Sequence, residues 1–307
     1  MSDGPGDRNP GDRNPGDRIP DGRLYEFVEN PDLESPVLVV VLDGWIDAGL
    51  GASAALETLT AACSPELVAF FDADALLDHR ARRPTMHIED GIQTGLSWPS
   101  IELKAGADLD GNDVLFLMGA EPDHRWRGFS TAVVNLALEL GCRMCVGLGA
   151  YPAPVPHTRP TRIVATTAAL ELAERVGIIH GRIDVPAGVQ AAIEEQAALM
   201  LLPAVGLWAQ VPHYASAMPY PAAGAALIES LNDVAGLRFD TGGLHDDAVA
   251  ARSRLDGLIA DSDEHQQLVR QLEQQVDALA DSHGQPLPSG EELAAELERF
   301  LRDQDGR

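Results

Sequence analysis

From Leu24 to about Asp240, short runs of successive apolar residues alternate with longer amphipathic stretches. The clearest runs are Val37–Leu42, Leu67–Phe71, Val114–Met118, Met144–Leu148 and Val205–Ala209. Val-Leu-Val-Val-Val-Leu at 37–42 shows no polar alternation. Strands buried on both faces read this way, as in a parallel sheet flanked by helices. The stretches 50–62, 129–140, 167–176, 188–202 and 221–235 read as helices. Strand alternating with helix predicts an α/β layered fold.

The two ends differ from this core. Residues 1–23 repeat Gly-Asp-Arg-Asn-Pro at 6–10 and 11–15, then Gly-Asp-Arg-Ile-Pro at 16–20. With no apolar face to bury, ordering them has no return, so a disordered tail is expected. Residues 24–240 form the expected α/β core domain. Residues 241–307 hold 15 acidic and 6 basic residues and no strand-like run, which predicts a helical segment. Its first helix covers roughly 244–260. A second starts at Asp261 with Glu264 as a capping-box partner, carrying Leu268, Leu272, Val276 and Leu279 on one stripe. A third starts at Ser289 with Leu293, Leu297, Phe300 and Leu301 on one face. These stripes either cap the core or pair with another subunit.

Charge narrows the choice of partners. The chain of 307 residues carries 48 acidic against 22 basic residues, a net charge of -26. A non-specific nucleic-acid binder or a protein that docks on an anionic membrane needs a cationic face, so neither partner is expected. Cys63, Cys142 and Cys145 cannot make a disulfide framework for a chain this long, and they point to a reducing compartment. The N-terminus lacks an apolar signal region and no run of 18 apolar residues occurs, so a cytoplasmic protein is expected.

In a parallel α/β sheet ligands bind beyond the carboxyl ends of the strands. The segments that follow the runs are Asp43 to Gly49, Gly119 to Arg127, Gly149 to Pro160 and Pro212 to Tyr214. Aromatic residues make up only 5% of the chain, yet Trp45, Trp126, Tyr151 and Tyr214 all fall in these loops. So do Asp47, Glu121, Asp123, Arg125, His157, Arg159 and His213. Gathered at one sheet edge, the carboxylates and imidazoles would shuttle protons, and Arg125 or Arg159 would clamp an anion. The same groups would equally serve as a satisfied network fixing rigid loops or a subunit interface. Nothing in the spacing pairs a nucleophile with its own base.

Other motifs are weaker. Gly49-Leu50-Gly51-Ala52-Ser53-Ala54 matches G-x-G-x-x-A, with Asp72 near the acidic position of a dinucleotide site. However, Gly49 lies seven positions after Leu42, and Asp47 would repel a pyrophosphate. Cys142-Arg143-Met144-Cys145 has no second ligand pair, so two core cysteines are expected, with no metal and no cofactor.

The order G-W-x-D-A-G at Gly44 to Gly49, G-x-E-P-D-x-R-W-R-x-F at Gly119 to Phe129, P-H-T-R-P at Pro156 to Pro160 and L-W-x-x-V-P-H-Y at Leu207 to Tyr214 resembles the proteasome assembly chaperone 2 family, in particular its actinobacterial branch. The resemblance spans about residues 24–303. It implies a three-layer α/β/α fold with a mostly parallel sheet, similar to phosphorylases and hydrolases, and a homo-oligomer, expected to be a trimer. It also implies a chaperone-like scaffold with a possible protein partner and no established reaction. An enzyme acting on a small anionic metabolite in the post-strand cleft is the alternative. The branch usually carries G-P-T-G-I where this chain has Val185-Pro186-Ala187-Gly188-Val189, so the first glycine and the threonine hydroxyl are missing. Relatives that dock on proteasomes often end in hydrophobic-Tyr-X. This chain ends Gln304-Asp305-Gly306-Arg307, so docking by that tail is not expected.

Overall fold

Residues 37–42 carry no polar alternation because both of their faces are covered, and the pleat still sorts them. Val37, Val39 and Val41 enter one apolar cluster, while Leu38 and Val40 enter a second. The same alternation sends Val114 and Phe116 to the first cluster and Leu115 and Leu117 to the second. The computed structural model describes residues 23–167 and 184–283. The expected tail up to Gly22, the expected helix beyond Thr167 and the expected third C-terminal helix from Ser289 lie outside the described residues.

The elements in chain order are β1 (Tyr25–Phe27), β2 (Val37–Asp43), α1 (Gly51–Cys63), β3 (Glu66–Phe71), α2 (Ala73–Leu76), β4 (Thr85–Glu89), β5 (Ile92–Ser97), β6 (Ile101–Ala107) and β7 (Asp113–Ala120). Then follow α3 (Trp126–Glu139), β8 (Met144–Ala153), β9 (Ile163–Thr166), α4 (Val189–Leu199), β10 (Ala204–Pro212), α5 (Pro221–Ala235), α6 (Leu244–Ala260) and α7 (Asp263–His283). An 8-stranded sheet has the order β1-β3-β6-β7-β2-β8-β10-β9. Leu59 of α1 and Leu227, Ile228 and Leu231 of α5 pack in the first cluster. Phe129, Val133 and Leu136 of α3 and Val189 and Ile193 of α4 pack in the second. Phe116 and Phe129 are fully buried, and truncating either to alanine is expected to cost about 3–5 kcal/mol.

The sheet is mixed, parallel at its centre as expected and antiparallel toward both edges. β7, β2, β8 and β10 are parallel neighbours. β1, β3 and β6 join one side of them in antiparallel pairs, and β9 joins the other. Parallel neighbours need a crossover of a dozen or more residues. The short connection from Ala107 to Asp113 cannot supply one. Asp108 ties that turn, its Oδ1 accepting from the N–H groups of Asp110 (2.9 Å) and Asn112 (2.8 Å).

Two helix starts also differ from expectation. α3 begins at Trp126, earlier than 129, because Arg125 turns left-handed (φ 59) and the Trp126 Nε1 donates to Pro122 O. α7 begins at Asp263 without the Asp261 cap. Ser262 stands immediately before it, and its Oγ accepts from His265 N at 3.4 Å. The residues up to Asp256 and those from Gly257 form two compact units, so the division falls inside α6. No helix among the described residues is long and apolar enough to cross a membrane.

The hairpin of β4 and β5 stands apart as a separate two-stranded sheet. Met86, Ile88, Ile92 and Leu96 are all exposed on it, and Trp98 just beyond it is exposed too.

Candidate functional site

A cavity of about 280 Å³ opens at the carboxyl end of β2, between the first turns of α1 and α4. Its walls include Asp43, Trp45, Asp47, Glu121, Gln190 and Trp208. Both indoles rest on glycines. A Cβ on Gly188 would lie 2.7 Å from Trp45 Cδ1, and one on Gly149 would lie 2.4 Å from Trp208 Cζ3. Any side chain at either glycine would displace a ring from the cavity wall.

Two carboxylates close the helix ends at this cavity. Leu50 is left-handed (φ 54), and the chain enters α1 with Asp47 folded back over the first turn. Asp47 Oδ1 accepts from Ala52 N at 2.8 Å, and Oδ2 accepts from Ser53 N at 3.0 Å and Ser53 Oγ at 2.7 Å. Glu121 is 7% exposed, and its Oε1 accepts from Val189 N at 2.6 Å in the first turn of α4. A helix N-terminus attracts negative charge, and here the protein supplies it to both helices. The end of β7 is fixed to β2 by Glu121 N donating to Asp43 O at 2.7 Å. Burial pushes the Asp43 carboxyl up, Asp47 raises it further, and Arg82 partly offsets both.

The remaining candidates stand elsewhere. Asp123 pairs with Arg82 at 3.2 Å and accepts from Asp78 N at 2.8 Å, which staples its loop to residues 76–82. Arg125 is exposed at the start of α3, and Trp126 is half-buried with its indole bonded to Pro122. His157 is buried. Tyr214 Oη lies 2.8 Å from its Nδ1, and Asp256 Oδ1 lies 3.0 Å from its Nε2. His157 N also donates to Tyr214 Oη at 2.9 Å. With the tyrosine hydroxyl donating to Nδ1 and Nε2–H donating to Asp256, both ring nitrogens are engaged. His213 is exposed, its ring edge-on to Tyr214, and Arg159 is half-buried. The structure therefore gathers Trp45, Asp47 and Glu121 at the cavity, and His157, His213 and Tyr214 in a second cluster. It spends Asp123 and Trp126 on anchoring the β7–α3 loop and leaves Arg125 exposed at the start of α3.

Asp43, Trp208, Gln190 and Glu194 were not among the sequence candidates. Trp208 and Glu194 lie inside a strand and a helix, away from the loops where chemistry was sought. The available sign was glycine within strands. A Cβ on Gly147 would strike Gln190 at 2.2 Å, and one on Gly206 would strike Glu194 Oε1 at 2.4 Å. Glu194 receives hydrogen bonds from Thr166 Oγ1 (3.0 Å) and Gln190 Nε2 (3.2 Å), and Trp208 Nε1 donates to Thr166 Oγ1 at 3.0 Å. Burial pushes the Glu194 carboxyl up to about 7 despite those bonds. The cysteines of the Cys142–Cys145 pair are buried, and burial pushes the Cys142 thiol up to about 12, far from a reactive thiolate. Asp72 caps α2 through Ala75 N (3.0 Å), and Asp47 fills the N-terminus of α1. A dinucleotide pyrophosphate therefore has neither its acidic ribose partner nor an open helix end. Among the described residues no group of three or more His, Cys, Asp or Glu side chains is placed to hold a metal ion.

No curated protein matches the chain. A Mycobacterium tuberculosis protein of unknown function is 36% identical and superposes with a TM-score of 0.78, covering 87% of this chain and 92% of its own. A PAC2 family protein from Streptomyces avermitilis is 33% identical with a TM-score of 0.69, covering 76% of this chain and 99% of its own. A proteasome-assembly chaperone homologue from M. tuberculosis is 30% identical with a TM-score of 0.71, again covering 76% and 99%. The profile of the PAC2 family matches residues 41–259, which takes in the cavity, the His157 cluster and nearly all of the mixed sheet. The chain is a member of the PAC2 family.

Proposed function

We propose that this chain is an oligomeric scaffold of the proteasome-assembly-chaperone kind, working by protein contact and not by catalysis. The observation that carries the reading is the β4–β5 hairpin. An isolated two-stranded hairpin is marginal in water. This one presents Met86, Ile88, Ile92 and Leu96 to solvent, which favours a covering protein surface. A second copy of the chain covers it in this reading, with three copies expected, and the similarity to the mycobacterial assembly-chaperone homologue supports the class. The same reading takes residues 1–23 as a tail, 24–240 as a three-layer core and 241–307 as a helical segment, in a cytoplasmic protein. The two apolar clusters on opposite faces of the sheet support the three layers. Trp45, Asp47, Glu121, Asp123, Arg125, Trp126, His157, Arg159, His213 and Tyr214 then belong to scaffold and binding surfaces, and no reaction is assigned to them. An enzyme for a small anionic metabolite finds little support. His157 has no ring nitrogen to spare, and no basic side chain lines the cavity.

Light scattering at physiological salt tests the proposal. The expected particle is about three times the 32.7 kDa chain, and Ile88→Asp with Ile92→Asp should shift it toward the single chain. A wild-type particle of one chain mass across micromolar concentrations would defeat it.

A further inference from the structure

The cavity at the end of β2 has its own chemistry. Its charged wall residues are Asp43, Asp47 and Glu121, all acidic. Asp47 is saturated by Ala52 and Ser53. Glu121 is not. Its Oε1 holds Val189 N, while Oε2 has no hydrogen-bond partner among the described residues, although the side chain is more than nine-tenths buried. Oε2 is not sealed off from solvent, so it is open to a bound cation, which would supply the partner that the fold does not. The Asp43 carboxylate accepts no hydrogen bond among the described residues either, and it stands beside Asp47 with only Arg82 to offset it.

The walls name the rest of the ligand. Trp45 is 44% exposed at the cavity mouth, so its indole is not simply packed away. Trp208 lines the same space. Indole faces attract cations and cover apolar stems. The two helix N-termini that would draw an anion are already occupied by Asp47 and Glu121. An anion would therefore meet repulsion from three carboxylates and no basic side chain among the lining residues. A divalent metal needs several free oxygens in one shell, and Asp47 has none to give.

We infer that this cavity binds a small organic cation, an ammonium or guanidinium group on a short apolar or aromatic stem, with Glu121 Oε2 and Asp43 facing the charge and Trp45 and Trp208 flanking the stem. A volume of about 280 Å³ sets the size at that of a small metabolite. Glu121 fixes the charge and Gly188 fixes the ring, because both meet at the Val189 end of α4.

Isothermal titration of the full chain in 150 mM NaCl tests the inference, with phenethylamine and agmatine as probes. Phenethyl alcohol, phenylacetate and MgCl2 are the neutral, anionic and metal controls. The expected result is saturable one-site binding of at least one amine, at least tenfold tighter than any control. Glu121→Gln keeps an oxygen for Val189 N and removes the charge, so it should weaken the amine at least tenfold while the chain stays folded by circular dichroism. Trp45→Ala should do the same, and Glu66→Gln, which removes an equal charge from an exposed residue at the start of β3, should change nothing. No amine binding up to 10 mM, tighter binding of phenylacetate, phenethyl alcohol or Mg²⁺, or equal weakening by Glu66→Gln would each overturn it.

Discussion

Two polar clusters stand beyond the carboxyl ends of the central strands, and their outcomes are opposite. In the His157 cluster every hydrogen-bonding edge of the ring is used, between Tyr214 and Asp256, and the side chain is 1% exposed. In the cavity cluster Glu121 uses one oxygen to hold α4 and leaves the other without a donor. Both clusters contain the residue types that do chemistry, in loops where chemistry is expected. The difference lies in what remains after the fold has been satisfied. A saturated group is a rivet, and a group with capacity left over can take a ligand.

The largest expected effect sharpens the first half of that comparison. His157→Ala removes a buried ring together with its hydrogen bonds to Tyr214 and Asp256. Urea melts should show a loss on the order of 3–4 kcal/mol. Amine binding at the cavity, measured on the folded fraction, should be unchanged. A mutant as stable as its parent would show that the knot is not structural and would break the contrast.

Glu194 gives an effect nearly as large, tied to pH. In the unfolded chain its carboxyl ionises near the ordinary value of 4.5, while in the fold burial holds the proton to about 7. Between these values unfolding releases a proton, so this group's contribution to stability falls as pH rises and levels off above about 7. The difference amounts to about 3 kcal/mol. Glu194→Gln should therefore gain on the wild type by roughly that amount between pH 4.5 and pH 8. A gain that shrinks with rising pH would refute the assignment.

Asp47 tests whether a cavity residue can be wholly structural. Asp47→Ala strips the first turn of α1 of its acceptors and should cost about 1–2 kcal/mol in thermal or urea melts. The smallest stability effect belongs to Glu121→Gln, expected within about 1 kcal/mol because the bond from Val189 N survives. Its consequence should appear in amine binding instead. If Glu121→Gln cost as much as His157→Ala, Glu121 would also be a rivet, and the distinction between the clusters would fail.

Much of this arrangement was legible beforehand. The apolar runs at 37–42, 114–118, 144–148 and 205–209 became the parallel centre of the sheet, because only a strand covered on both faces tolerates such runs. The helices at 51–63 and 221–235 lie where their amphipathic period put them. The hairpin at 85–97 and β6 were missed because they carry no run of successive apolar residues, only short alternations such as Met86 with Ile88 and Ile101 with Leu103. Loop chemistry pointed to Trp45, Asp47, Glu121 and His157 but gave them a single cleft.

The sequence alone determined which segments are buried strands, where the polar loops follow them, and a net charge of -26. These follow from periodicity and charge, which are local or additive properties. Only the tertiary structure decided which way the sheet edges run, which of ten candidate side chains share a cavity, and that Trp208 and Gln190 line it from inside regular elements. It alone set the fate of each carboxylate. Whether an oxygen is saturated depends on donors far away in sequence, such as Val189 N for Glu121 and Arg82 for Asp123. Chain closure brings those donors together, and no local pattern encodes their distance.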